Sequence, residues 1–156
     1  MMRLLDRVVW YSLIACLGTM VSVVVTGVTF RYVLNRPLPW PEELAQMLFA
    51  WVTFLGAYLA TRSRSHITID IVLISLPKTV QLLLSRIVDL GVLLLALVFA
   101  YQGIALTIDT WGLEYPAMEI SRGYLYLALP VGACLTAFAV IENWRSHHLS
   151  PEGERS

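Results

Sequence analysis

The chain has 156 residues, 58% hydrophobic and 14% charged, with 11 basic and 11 acidic side chains that leave no net charge. Soluble domains carry about 25% charged residues, so this composition, with mean hydropathy +0.70, excludes an ordinary water-soluble globule and points to lipid. There is no basic patch of the kind that holds a nucleic acid, and no nucleic-acid partner is expected.

Charge-free intervals define the elements. Between Arg7 and Arg31 there are 23 residues without a charge, between Glu43 and Arg62 18, between Asp89 and Asp109 19, and between Arg122 and Glu142 19. A helix rises about 1.5 Å per residue and the hydrocarbon core is about 30 Å thick, so roughly 20 apolar residues span it. In lipid the backbone must satisfy its own hydrogen bonds, which leaves helices or closed barrels. Runs such as VLLLALVFA do not alternate as barrel strands do. The expected fold class is therefore an all-α integral membrane protein with four transmembrane helices.

The first helix is expected over about 6–34. Its uncharged run is longer than the apolar region of a signal peptide, and no A-x-A-like cleavage site follows it. Leu13-Ile14-Ala15-Cys16 has the look of a lipoprotein cleavage box, but cutting there would leave the new terminus on another apolar run. Gly18, Ser22, Thr26 and Thr29 fall on one side of this helix. It must stop near Asn35, because Pro37 and Pro39 each disfavour helical conformation in the residue before them.

Pro41 then suits the first turn of a second helix, over about 41–62, where its missing amide hydrogen has no helical partner. Glu42 and Glu43 lie in the same turn, where carboxylates interact favourably with the helix dipole. Trp40 is placed at interfacial depth. Residues 35–40 thus read as a stiff hairpin at a membrane surface. Helix 2 carries Glu43, Gln46, Ala50, Thr53, Ala57 and Ala60 on one stripe, and Met47, Trp51, Phe54 and Tyr58 on another. Arg31 is the nearest basic candidate for Glu43 across the short hairpin, and Arg36 the second.

A connection containing HITIDIVLISLP precedes a third helix over about 78–108. Lys78, Gln81, Ser85 and Asp89 share its first face, which continues as Ala96, Ala100 and Gly103. Arg86, three residues from Asp89, is placed to pair with it. After an acidic connection with Asp109, Glu114 and Glu119, a fourth helix is expected over about 122–145. Residues 1–146 read as one four-helix membrane domain and 147–156 as a disordered cytoplasmic tail. The adjacent His147 and His148 cannot face one another on a helix, so they do not suggest a metal site.

Small-residue stripes are the packing faces of membrane helices, since lipid tails are as apolar as leucine. The alternative, a polar permeation path, lacks a charge at the centre of any span, where an ionisable group is normally kept for function. A small multidrug exporter would need an acidic residue inside its first span. A membrane redox enzyme would need paired cysteines, whereas Cys16 and Cys134 are lone and mid-span. No catalytic, substrate-binding or metal-ligating group and no cofactor is expected. A stabilising or assembly subunit of another inner-membrane complex is the remaining alternative.

The stretch F-R-Y-V-L-N-R-P-L-P-W-P-E-E-L-A-Q-M-L-F-A-W-V-T-F-L-G-A, followed by R-S-R-S-H-I-T-I-D, resembles the small membrane subunit of tripartite ATP-independent periplasmic (TRAP) transporters, the DctQ family. The matching residues are Arg31, Tyr32, Asn35, Trp40, Glu42, Glu43 and Leu44, then Trp51, Phe54, Leu55, Gly56 and Ala57, then His66, Ile67 and Asp70. They cover about residues 30–70, and the rest agrees in hydropathy and length.

The resemblance implies a non-catalytic subunit of the bacterial inner membrane. Its partners would be a large elevator-type membrane subunit, a periplasmic substrate-binding protein and membrane lipid. It implies sodium-coupled uptake of a carboxylate-bearing small molecule, with this chain as a static scaffold. Arg31, Tyr32, Asn35, Trp40, Glu42, Glu43, Trp51 and Gly56 become structural or interface candidates around the hairpin and helix 2, His66 and Asp70 in the second connection, and Arg86 and Asp89 on helix 3.

Basic residues set the orientation. The N-terminal tail, the second connection and the C-terminal tail hold eight (Arg3, Arg7, Arg62, Arg64, Lys78, Arg86, Arg145, Arg155), against three (Arg31, Arg36, Arg122) in the other connections. Both termini are therefore expected in the cytoplasm and the Asn35 hairpin outside. A cysteine placed at Asn35 should react with an impermeant thiol reagent added to intact cells, and one at Ser65 should not. The opposite labelling pattern reverses the orientation.

Overall fold

A computed structural model describes residues 2–62 and 78–148. They form α1 (Met2–Tyr32), α2 (Trp40–Arg62), α3 (Lys78–Thr110), a one-turn α4 (Gly123–Tyr126) and α5 (Ala128–His148). The four expected spans are present: Leu4–Tyr32, Trp40–Arg62, Arg86–Thr110, and Gly123–Asn143 across α4 and α5. His66 and Asp70 lie outside the described residues, as does the tail from 149 onward.

The helix ends follow local chemistry. α1 closes with Leu34 N–H donating to Thr29 O at 3.3 Å and Arg36 N–H to Phe30 O at 3.0 Å. Asn35 takes the left-handed conformation, φ 50°, that asparagine tolerates beyond a helix C-terminus. Three prolines across 37–41 then keep the chain extended until Trp40 opens α2. The fourth span is not the single helix expected from the sequence. It is interrupted at Leu127, which still donates to Gly123 O at 2.8 Å. Pro130 lacks the amide hydrogen that would have bonded four residues back, to Tyr126.

Packing runs in the spatial order α1–α2–α5–α3, with α4 seated between α2 and α3 at the hairpin end. The helices therefore form an open row. Its core cluster is Val9 of α1, Leu55 and Tyr58 of α2 and Ala139 of α5, with Leu5, Leu13, Trp51, Leu59 and Leu135 packed around it. The outward surface of α3 is bulky and apolar, with Leu83, Leu94, Leu97 and Ile108 exposed, as a lipid-facing wall requires.

Two close approaches hold the middle of the row. A Cβ on Gly132 would lie 2.4 Å from Phe54 Cβ and 3.2 Å from its backbone, so α5 meets α2 where a side chain is missing. A Cβ on Gly103 would lie 2.7 Å from Pro130 Cδ and 2.8 Å from Leu129 Cβ, which sets α3 against α5. On α3, Ala96 and Gly103 do face the interior.

The stripes on the first two helices behave differently. Gly18 has nothing within 4 Å of its Cβ position, and Ser22 and Thr29 are exposed. On α2, Gln46, Thr53, Ala57 and Ala60 are exposed, whereas Trp51, Phe54 and Tyr58 pack inward. Within this chain α2 is held by its aromatic stripe.

Gly132→Val should destabilise the fold by about 1–3 kcal/mol, because the added carbons meet backbone as well as side chain. Gly18→Ala should change stability by no more than a few tenths, or raise it, since Ala favours helix. Thermal unfolding of the detergent-solubilised chain checks both.

Candidate functional site

Among the described residues, the charged side chains that pair one helix with another sit at the two ends of the helices. At the hairpin end, Arg31 on the last turn of α1 donates from Nη2 to Glu42 Oε1 at 2.5 Å. Both side chains are half or more exposed, 50% and 70%. Such a pair contributes about 0–1 kcal/mol.

Glu43 does not pair with Arg31 as its place in the sequence suggests. Adjacent helical residues point about 100° apart, so Glu42 faces α1 while Glu43 faces the connection between α3 and α4. There the Glu43 carboxylate accepts the backbone N–H of Ala117 (3.1 and 3.2 Å) and of Met118 (3.0 Å). These are charge-assisted bonds to amides that would otherwise lack partners in a turn.

The turn that Glu43 holds is well braced. Tyr115 N–H donates to Ile120 O and Glu119 N–H to Tyr115 O, both 2.9 Å, and Arg122 N–H to Leu113 O at 2.8 Å. Glu119 is left-handed at φ 53°, an unusual state for a side chain without a short amide group. Tyr115 is buried under the Arg122 guanidinium, 5.3 Å from its ring centre, and its hydroxyl donates to Gln46 Oε1 at 3.4 Å. Burial raises the Tyr115 phenol above its ordinary value, against the opposing charge of Arg122. Ser121 Oγ–H donates to Trp111 O at 2.7 Å and accepts from Gly123 N–H at 3.1 Å. Trp51 Nε1–H of α2 donates to Tyr124 O at 3.2 Å and so ties α4 down.

The other end carries a cluster that sequence reasoning passed over. Asp6 on α1 accepts the Tyr58 hydroxyl on Oδ1 at 2.6 Å and Arg62 Nε–H on Oδ2 at 3.2 Å. Arg62 also donates from Nη1 to Glu142 Oε2 on α5 at 2.6 Å, and Asn143 Nδ2–H to Thr61 O at 3.2 Å. The charged side chains are only 23–30% exposed. One guanidinium on α2 thus joins carboxylates from both neighbouring helices. The available signal was that Asp6, Arg62 and Glu142 lie at helix ends which antiparallel packing brings to one membrane face.

The remaining sequence candidates are scattered. Gly56 faces Leu13 Cδ1 at an ordinary 3.7 Å, and Tyr32 is 73% exposed. Asn35 is exposed and Trp40 half-buried at the hairpin. Arg86 is exposed and Asp89 half-buried, one turn apart on α3. Among the described residues no group of three or more His, Cys, Asp or Glu side chains could hold a metal ion.

Four apolar spans, with the ion pairs gathered at their ends, define a multi-pass membrane protein. Residues 20–148 match the family model described as "Tripartite ATP-independent periplasmic transporters, DctQ component", and the chain belongs to that family. It is a component of a transporter of the inner membrane and not an enzyme.

A putative TRAP transporter small permease protein of Haemophilus influenzae is 27% identical over 89% of this chain and 84% of its own length. The sialic acid TRAP transporter permease protein SiaT of the same species is 32% identical over 78% of this chain, but over 20% of its own length. The isethionate TRAP transporter permease protein DctMQ of Oleidesulfovibrio alaskensis is 32% identical over 67% of this chain and 17% of its own.

Truncating either end separates the two clamps. Arg62→Ala strands two half-buried carboxylates and should cost roughly 2–4 kcal/mol, below the cost of breaking a fully buried pair. Arg31→Ala should cost no more than about 1 kcal/mol. In double-mutant cycles on detergent-solubilised protein, Arg31→Ala should couple to Glu42→Ala and not to Glu43→Ala.

Proposed function

We propose that this chain is the static small subunit of a TRAP transporter. It would widen the fixed part of an assembly whose large subunit carries the substrate and sodium sites and moves as an elevator. A periplasmic binding protein would deliver the substrate. The chain would be one four-helix membrane domain over 1–146, with both termini cytoplasmic and 147–156 as a cytoplasmic tail.

The observation that supports this reading most is the distribution of charge. No Asp, Glu, Lys or Arg occurs in 8–30, 44–61, 90–108 or 123–141, and the ion pairs at the ends join helices of this same chain. A charge mid-bilayer costs at least about 2.5–3.5 kcal/mol and is kept where ions or substrates pass. Without one, these intervals hold no charged side chain that could pair with a sodium ion or an acid.

Pairing with a large permease is supported by SiaT and DctMQ, in which the similar stretch is a fifth or less of one longer polypeptide. A carboxylate-bearing substrate is supported by the sialic acid in the name of one relative. Isethionate, in the name of another, is a sulfonate, so the charge on the substrate is the common feature. The hairpin candidates Arg31, Trp40, Glu42 and Glu43 are read as residues that fix the external ends of α1 and α2.

Reconstituted alone, the chain should give no uptake of any organic acid under a sodium gradient. Adding the large subunit and the binding protein should restore it. In that complete system Glu43→Ala should lower co-purification or uptake and leave the sodium dependence of the remaining uptake unchanged. Transport by the chain alone, or an altered sodium dependence, contradicts the scaffold reading.

A further inference from the structure

A cleft of about 400 Å³ opens between the hairpin ends of α1 and α2. Val24, Val28, Leu38 and Ala45 line its apolar part, and Arg31 and Glu42 stand in its polar part. Its base is the seam where α1 meets the first turn of α2, since a Cβ on Gly27 would lie 3.1 Å from Pro41 Cβ. The volume is that of a small-molecule site. Its depth is that of lipid headgroups, because α1 ends at Tyr32 and α2 begins at Trp40, with Trp40 in the usual place of an interfacial aromatic.

An apolar slot with a cation and an anion side by side matches a zwitterion carrying an acyl chain. Arg31 makes one contact, Nη2 to Glu42 Oε1, and a guanidinium has five N–H donors in a planar fork suited to phosphate. Glu42 is 70% exposed, and a carboxylate can accept several hydrogen bonds at once. A headgroup phosphate can therefore lie on Arg31 while a primary ammonium donates to Glu42, and an acyl chain follows Val24 and Val28 down the groove. A quaternary ammonium has no N–H to donate to Glu42, and a glycerol headgroup has no cation at all.

We propose that this cleft binds one phosphatidylethanolamine molecule, with its phosphate on Arg31 and its ammonium on Glu42. The inference depends on the chain lying in a membrane and is independent of the scaffold reading.

The test is native mass spectrometry of the full chain, alone and with its large subunit, after exchange into equimolar phosphatidylethanolamine, phosphatidylcholine and phosphatidylglycerol with matched acyl chains. One phosphatidylethanolamine should be retained at least about ten-fold over either competitor, the scale of one charge-assisted hydrogen bond. Glu42→Gln should abolish the preference over phosphatidylcholine, and Arg31→Gln should lower retention of all three lipids.

Val28→Trp fills the slot at a residue that is 50% exposed and leaves the ion pair in place. It should release the lipid without changing helix content by circular dichroism. Equal retention of the three lipids, a preference for phosphatidylglycerol, or an unchanged preference in Glu42→Gln overturns the proposal. So does retention by Val28→Trp. Loss of the bound lipid when the large subunit is present also overturns it, since the cleft is then a subunit contact.

Discussion

Apolar side chains gain little by leaving lipid for one another, so a row of membrane helices is held by close packing and a few polar contacts. Arg62 supplies the contact that spans the most elements. It stands at the last residue of α2, the helix between α1 and α5, and reaches Asp6 on one side and Glu142 on the other. The Tyr58 hydroxyl on the same carboxylate directs Asp6 toward α2. Removing one carboxylate leaves the guanidinium with a partner, whereas removing Arg62 leaves two like charges close together. The cluster below it, Val9, Leu55, Tyr58 and Ala139, draws on the same three helices, so charge and packing select one arrangement.

The opposite end solves a different problem. Two connections of backbone, 33–39 and 111–122, must be satisfied near the headgroups, where an unpaired amide is costly. The stretch from Trp111 to Arg122 bonds largely to itself, and its exposed turn is held by Glu43 from the start of α2. Consecutive glutamates therefore do unlike work. Glu42 makes a weak, exposed link to α1, and Glu43 organises a turn seventy-odd residues away in sequence. A hairpin with one glutamate could do one of these things.

The four spans were legible because membrane thickness translates directly into uncharged length, and Asn35 with its prolines marked the first turn. The partners of Glu42 and Glu43 were not. A difference of one residue rotates a carboxylate by about 100°, and sequence separation made Arg31 look like the natural partner of either. The Asp6–Arg62–Glu142 cluster was hidden for the opposite reason. Its members lie 56 and 80 residues apart and become neighbours only when the packing order of the helices is known. The interruption at Leu127 follows from Pro130, which was visible, but a proline early in an apolar helix is often accommodated without a break. The arrangement of His66 and Asp70 lies outside the described residues.

Polar residues inside the spans bear on whether this chain could form a path for solutes. Ser22, Thr26 and Thr29 on α1, Thr53 and Thr61 on α2, Thr107 and Thr110 on α3, and Thr136 on α5 each donate to the carbonyl four residues earlier. A hydroxyl has one proton, and when it lies on the helix's own backbone the side chain shows its neighbours chiefly a methyl or methylene. The stripe on α1 that looks polar in sequence is thus small and weakly polar in structure. A permeation path needs donors and acceptors that can take over a solute's hydration shell as it enters. These eight hydroxyl protons are committed to the backbone and the charges of the described ion pairs to the helix ends, so the stripe that carries Ser22, Thr26 and Thr29 presents shape more than polarity.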